Sequence, residues 1–365
     1  MRRGNESIPG QPVANIRILS GRAMACVAAL LVTATSPVGA IVQSPAAKAP
    51  AAVTSGEAPK SATRGVLDSV VFVGASATAG FGVIITDPEK KGRNLPLPLS
   101  ASFEGAVSNL KPEATLRNFG SSLFFLSPGV TGTAQIDRAL ELDPTLVVAV
   151  DFLFWYGYGD DDGKGGTLAS ESQRLEKLKL GFRQLERIGA SVPVVVGNLP
   201  DMSGAVGKML SRSQMPELRT LTELNESLTT WAAAHPNVVL FPLSELVGKL
   251  KSGETITIAN LEFKKDGGRL LQSDELHPTA RGSLAMSLRI AELLREKLGA
   301  SAGIETPVDE STAQRRAHAA AQRALDMRAG GKPAGTPMRS TSNPPPSLPA
   351  ESPAAPATPT VPAKS

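Results

Sequence analysis

The chain has 365 residues, a formal net charge of +4 and one cysteine, Cys26. No basic stripe alternates with aromatic residues, which argues against a nucleic-acid partner. If the first 40 or so residues are removed, no cysteine is left, and this would exclude disulfides, thiol catalysis and cysteine-bound metals.

The N-terminus has the layout of a secretory signal. Residues 2–22 contain four arginines and one acidic residue, and an apolar run of about a dozen residues follows. This run is too short to span a bilayer, and small residues ending at Ala40 suit cleavage. We therefore predict a signal peptide over 1–40 and a secreted or periplasmic protein. A membrane-anchored N-terminus is the alternative.

Composition divides the remainder into three parts. Residues 41–64 form an Ala-rich linker, and 65–300 have the length of one ordinary domain. Residues 301–365 are predicted to be a Pro/Ala-rich disordered tail, because large apolar residues are scarce there. Within this tail, 311–328 could form a short helix. The tail is a candidate for contact with the cell envelope.

Short apolar segments alternate with helical patterns between residues 69 and 299. The predicted strands are SVVFVGAS, ATLRNFG, PTLVVAVDFLFW, VPVVVGNLP and NVVLFPL. Helical patterns cover 133–143, 171–189, 215–235 and 278–299. This alternation predicts an α/β fold, a three-layer α/β/α sandwich around a mostly parallel five-stranded sheet.

The turn after the first strand is a candidate site, since ligands bind at the carboxyl ends of strands in such sheets. It contains Gly74, Ala75 and Ser76, followed by Gly80 and Gly82. The glycine spacing does not fit a dinucleotide fingerprint, and no lysine follows as in a phosphate-binding loop. A nucleophilic serine, Ser76, is the better interpretation.

A nucleophilic serine needs a base, and the chain has three histidines. His318 lies in the predicted tail, and His235 lies at a helix end. His277 has Asp274 three residues before it, a spacing at which a carboxylate can hold one ring nitrogen and leave the other free. A helix-capping aspartate beside an incidental surface histidine is the alternative.

Together, GAS-x-T-x-G, NFG and DELHP resemble the SGNH/GDSL hydrolases in order and spacing, over about residues 68–297. The resemblance implies a flavodoxin-like sheet and a serine esterase without cofactors, acting on a small acyl ester or an acylated glycan. It assigns the nucleophile to Ser76 and the other catalytic residues to Asp274 and His277. The oxyanion would be bound by the N–H groups of Ser76 and Gly120.

The chain departs from this family where a Gly-x-Asn-Asp block normally supplies an oxyanion donor. The third strand instead continues into Phe152, Leu153, Phe154 and Trp155. Asn118 or Trp155 is the candidate replacement, and we expect Phe154 and Trp155 to line the substrate pocket. Two alternatives to an esterase stay open: an acyltransferase or deacetylase of envelope polysaccharide, and a catalytically impaired binding protein.

A Gly-rich loop follows these aromatic residues. Asp160, Asp162, Gly165 and Glu171 match four positions of a calcium-binding loop, but Lys164 occupies a ligand position. We therefore predict no metal site here and interpret the loop as a flap beside the site.

Overall fold

A computed structural model describes residues 64–86, 94–159, 170–264 and 268–330. Its centre is a five-stranded sheet in the order β4-β1-β5-β6-β7, in which every neighbouring pair is parallel. The strands are β1 (Ser69–Phe72), β4 (Thr115–Asn118), β5 (Leu146–Ala149), β6 (Val194–Gly197) and β7 (Val238–Phe241). Two small antiparallel hairpins pair β2 (Ile84–Thr86) with β3 (Asn94–Pro96) and β8 (Ile256–Ile258) with β9 (Leu261–Phe263). The predicted fold class is confirmed.

Nine α-helices occur in the described ranges. They are α1 (Ser76–Ala79), α2 (Leu99–Ala106), α3 (Pro128–Leu140), α4 (Phe154–Tyr158), α5 (Glu171–Glu186), α6 (Leu218–Ala234), α7 (Leu243–Ser252), α8 (Ala280–Leu298) and α9 (Glu310–Gly330). One group of packed helices comprises α2, α8 and α9, and another comprises α3, α4, α5 and α6. Every residue of β1, β5 and β6 is buried, as expected for strands covered by helices on both faces.

The strand order places the turn after β1 at a topological switch point. The chain leaves β1 for β4 on one side and then returns to β5 on the other side of β1. Crevices at the carboxyl ends of strands form at such points. The serine predicted as nucleophile therefore lies where this sheet leaves room for a ligand.

The third predicted strand is shorter than its apolar run suggests. Strand β5 ends at Ala149, and the aromatic segment that follows turns into α4, all of whose residues are buried. The run is continuously apolar because both the strand and the short helix lie in the core. Periodicity alone does not separate these two cases.

The predicted tail begins too early. Residues up to Gly330 are described, and α9 packs along α2 through Ala313 and Ala317, both buried. A Cβ on Gly105 of α2 would lie 2.5 Å from the carbonyl oxygen of Ala313, so the two helices approach closely. Small side chains make this contact, which explains why a shortage of large apolar residues was a misleading sign of disorder.

Several predictions concern residues outside the described ranges. They are the signal peptide over 1–40, nearly all of the linker over 41–64, the tail from 331 and the loop over 160–169. Among the residues that are described, none of the helices has both the length and the apolar character to cross a membrane.

Candidate active site

The turn between β1 and α1 is held from below by one carboxylate. Asp151, which follows β5, is buried. Its Oδ1 accepts hydrogen bonds from the N–H of Ala75 at 3.0 Å and from Thr78 Oγ1 at 2.5 Å. Its Oδ2 accepts from the N–H groups of Ala77 at 2.9 Å and Thr78 at 3.1 Å. Ser76 is thus presented on a turn in which the N–H groups of Ala75, Ala77 and Thr78 are fixed to a single side chain.

This arrangement explains the glycine at position 74. Gly74 has a φ of 149°, and a Cβ there would lie 2.1 Å from Oδ1 of Asp151. Any side chain would push the carboxylate away from α1. Burial raises the pKa of the Asp151 carboxyl, and its four hydrogen bonds counteract part of that rise. All four hydrogen bonds are donated to the carboxyl group of Asp151, and such bonds favour its ionised form.

The second part of the site is the loop before α8. Oδ1 of Asp274 accepts the N–H groups of Leu276 at 2.9 Å and His277 at 3.0 Å, so the loop folds around the aspartate. Between Asp274 and Leu276, Glu275 has a φ of 58°, a left-handed conformation that is uncommon for a residue other than glycine. The Glu275 carboxylate also forms a partly exposed ion pair with Lys208.

Ser76, His277 and Asp274 form one hydrogen-bonded chain. His277 Nδ1 lies 2.7 Å from Asp274 Oδ2, and His277 Nε2 lies 2.8 Å from Ser76 Oγ. Because a carboxylate only accepts, Nδ1 carries the proton and Nε2 is left as the acceptor for the serine hydroxyl. Burial by itself would raise the pKa of Asp274, but hydrogen bonds from His277 and neighbouring amides outweigh it and lower that pKa.

The structure does not place Gly120 and Asn118 as free oxyanion donors. The N–H of Gly120 donates to Oδ1 of Asn118 at 2.8 Å, and Nδ2 of Asn118 donates to the carbonyl of Thr78 at 2.8 Å. A Cβ on Gly120 would lie 2.6 Å from the amide nitrogen of Ala79. Both residues therefore brace α1 from the side of β4, and the glycine is required by close packing.

Other donors face the same space. Ser122 and Trp155 line a cleft together with Ser76. In the part of the chain that the structure describes, no hydrogen bond occupies the backbone N–H of Ser76 or Ser122, or Nε1–H of Trp155. Sequence reasoning missed Ser122, since a serine in a turn carries no distinctive signal.

Two cavities adjoin Ser76 and His277. The narrow cavity, of about 50 Å³, extends beneath Ser76 between α7 and α8 and has an almost entirely apolar lining that includes Phe154. The wide cleft, of about 330 Å³, lies on the other side and is bordered by Phe81 and Leu123. Trp155 lines both, so the aromatic residues predicted for the substrate pocket do lie beside Ser76.

The other candidate residues lie elsewhere or have structural partners. His235 Nδ1 lies 2.7 Å from the carbonyl oxygen of Trp231, and the two rings are in contact. Glu171, the last residue of the calcium-like pattern, forms an ion pair with the buried Arg174 at 2.7 Å. No group of three or more potential metal ligands occurs among the described residues.

Comparison with known proteins gives no sequence-level match. The chain matches no family model and no curated protein. Among solved structures, BT4096, a gut microbial diltiazem-metabolizing enzyme, is 16% identical with a TM-score of 0.37. That match covers 62% of this chain but only 46% of the enzyme.

Two further structures are matched over nearly their whole length. A protein from Parabacteroides merdae described as a GDSL-like lipase is 14% identical, with 63% of this chain and 95% of that one covered and a TM-score of 0.38. A variant of Axe2, an acetyl-xylooligosaccharide esterase from Geobacillus Stearmophilus, is also 14% identical, with 65% and 96% covered and a TM-score of 0.39.

Proposed function

We propose that the protein is a serine ester hydrolase. The observation that carries the proposal is the hydrogen-bonded chain from Asp274 through His277 to Ser76, with links of 2.7 and 2.8 Å, ending at two cavities. A serine hydroxyl is a weak nucleophile until a neighbouring base takes its proton. His277 has the position and tautomer to do so.

The reaction proceeds in two steps. His277 Nε2 takes the hydroxyl proton as Ser76 Oγ attacks the ester carbonyl, and the resulting imidazolium passes that proton to the departing alcohol. Water then attacks the acyl-serine, His277 takes its proton, and the acid is released as Ser76 regains its hydrogen. Asp274 stabilises the imidazolium in both steps.

The negative oxygen of each tetrahedral intermediate needs donors. The N–H groups of Ser76 and Ser122 fit this role because both residues line the cleft and neither N–H has a partner in the described residues. We assign a third donor to Nε1–H of Trp155, in place of the Gly120 and Asn118 groups that brace α1. Each such donor contributes about 10²–10³ to kcat.

Hydrolysis of p-nitrophenyl butyrate by the wild type, Ser76→Ala and His277→Ala tests the proposal. We expect both variants to lose at least about 10³-fold in kcat, since neither attack nor proton transfer is possible without these groups. Unchanged turnover in Ser76→Ala would refute it. The matched control is Ser100→Ala, a serine whose Oγ lies 3.4 Å from Nδ2 of Asn118 and lines neither cavity.

Acyl transfer is a second candidate, because an alcohol in place of water can resolve the same acyl-serine and the wide cleft has room for one. Product analysis with and without an added acceptor alcohol, such as an oligosaccharide, distinguishes the two. We also propose that the chain is exported, on the basis of the signal pattern in residues 1–40.

A further inference from the structure

The two cavities beside Ser76 differ in size and depth. Both contain Ser76, Trp155, Leu276 and His277, so a substrate at Ser76 Oγ extends into both. The narrow cavity is walled by apolar side chains from α7 and α8, and among the described residues that line it Asp151 is the only carboxylate, already bound to four donors. Apart from the reacting groups of Ser76 and His277 and the indole N–H of Trp155, its described lining offers no polar partner for a sugar or another hydroxylated group.

The order of the two reaction steps decides which part of the ester enters which cavity. After the first step the acyl group stays on Ser76 Oγ while the alcohol departs and water arrives. The wide cleft, at about 330 Å³, gives alcohol and water the larger passage, and partly exposed side chains such as Phe81 and Leu123 border it. The acyl group, which stays on Ser76 Oγ through both steps, is therefore assigned to the narrow cavity.

On this basis we infer that the narrow cavity is the acyl pocket and that it selects short acyl groups. The inference rests on the proposed ester hydrolysis. A water-sized group needs about 10–15 Å³ of such space. The cavity, at about 50 Å³, therefore accommodates an acyl chain of about two to four carbons.

Two leucines border both the narrow cavity and a neighbouring cleft. Leu250, at the end of α7, lines both the narrow cavity and a neighbouring cleft of about 350 Å³. Leu271 contributes to the same wall. Truncation of Leu250 removes part of the partition, so the acyl pocket would open into the neighbouring cleft. Leu250 is only partly buried, so its truncation should cost less stability than that of a fully buried leucine.

The test is kcat/KM for p-nitrophenyl acetate, butyrate, octanoate and decanoate, measured with the wild type, Leu250→Ala and Leu293→Ala. Leu293 is the matched control, a partly buried leucine on α8 that lines none of the three cavities. For the wild type we expect kcat/KM to fall at least about tenfold from butyrate to octanoate, because the added carbons have no space.

In Leu250→Ala, we expect the ratio of the octanoate value to the butyrate value to rise at least about tenfold. Leu293→Ala should keep the wild-type profile. Three results would overturn the inference: a wild type that prefers octanoate, a folded Leu250→Ala with an unchanged profile, or the same change in Leu293→Ala. Failure of the proposed function looks different, since no ester would then be hydrolysed and a fluorophosphonate would not label Ser76.

Discussion

The conformation of the turn that carries Ser76 depends on its hydrogen bonds to Asp151, and the substitution Asp151→Asn tests this dependence directly. The amide keeps the shape of the carboxylate but replaces one acceptor oxygen by a donor nitrogen. The threonine hydroxyl can rotate to accept from that nitrogen. At least one backbone N–H, from Ala75 or Ala77, then faces another donor in a buried position.

The size of the effect follows from these contacts. An unsatisfied buried donor costs about 1–3 kcal/mol, and the remaining bonds lose the strength that a charged acceptor gives them. We expect Asp151→Asn to lose about 2–4 kcal/mol of unfolding free energy, and therefore roughly 5–15 °C in Tm for a domain of this size. Displacement of Ser76 by about 1 Å would lower kcat by about 10²-fold, with KM nearly unchanged.

Thermal unfolding and steady-state kinetics measure the two effects separately. Asp309→Asn is the control, since Asp309 likewise accepts a backbone N–H, that of Thr312 at 2.6 Å, but at the start of α9. It should lower Tm less and leave kcat unchanged. An Asp151→Asn protein with wild-type Tm and wild-type kcat would refute the role given to this carboxylate.

Three further predictions concern the site and its support. Asp274→Asn should lower kcat about 10⁴-fold, as the corresponding change does in serine proteases. Because the pKa of Asp274 is lowered on folding, its contribution to stability is present above the unfolded pKa and is lost as pH falls through the folded one. The Tm difference between the wild type and Asp274→Asn should therefore shrink below about pH 4, and a constant difference would contradict this. Trp155→Phe keeps the aromatic bulk but removes Nε1–H, so kcat should fall about 10²–10³-fold with little change in KM, whereas full activity would exclude the indole as a donor. Gly105→Ala should cost about 1–3 kcal/mol in chemical denaturation, because its Cβ meets Ala313 and Ala317 of α9, and kcat should be unaffected since neither helix lines a cavity next to Ser76.

The five strands of the central sheet were predictable, and four of them are short apolar runs, whereas the hairpin strands β2, β3, β8 and β9 were not predicted. The order of Ser76, Asp274 and His277 was also available from the sequence, since three histidines leave few alternatives and the Asp-x-x-His spacing suits one bend of the chain. The spacing does not predict that Ser76 lies next to His277, which is 201 positions away in the sequence. That contact forms only when the folded sheet brings the two loops together.

The sequence motif did not predict which backbone N–H groups are available as oxyanion donors. Gly120 was expected to donate its N–H, but in the fold Asn118 accepts that N–H and the glycine is needed to let α1 approach. Ser122, two residues later, lines the cleft, and its N–H has no partner among the described residues. Direction of a backbone N–H depends on local φ and ψ, which a turn sequence alone does not specify.

Helices α2 and α4 were missed for one physical reason. Most residues of α2 are buried, as are all those of α4, so neither has the polar face that produces a helical period. Helix α9 was predicted only as a short helix within a disordered tail, because its buried face consists of alanines that hydrophobicity hardly distinguishes from the exposed one. The close packing of these alanines against Gly105 depends on the shapes of the two helices, which a hydrophobicity pattern does not describe.

Covalent labelling of the active serine tests the central claim most directly. The wild type and Ser76→Ala are incubated with a fluorophosphonate, and intact mass and peptide mapping locate the adduct. An activated Ser76 predicts one adduct per chain, on Ser76, and none in the variant. A folded wild type that takes up no label, or labelling that persists in Ser76→Ala, would contradict the account and favour a binding protein that has lost catalysis.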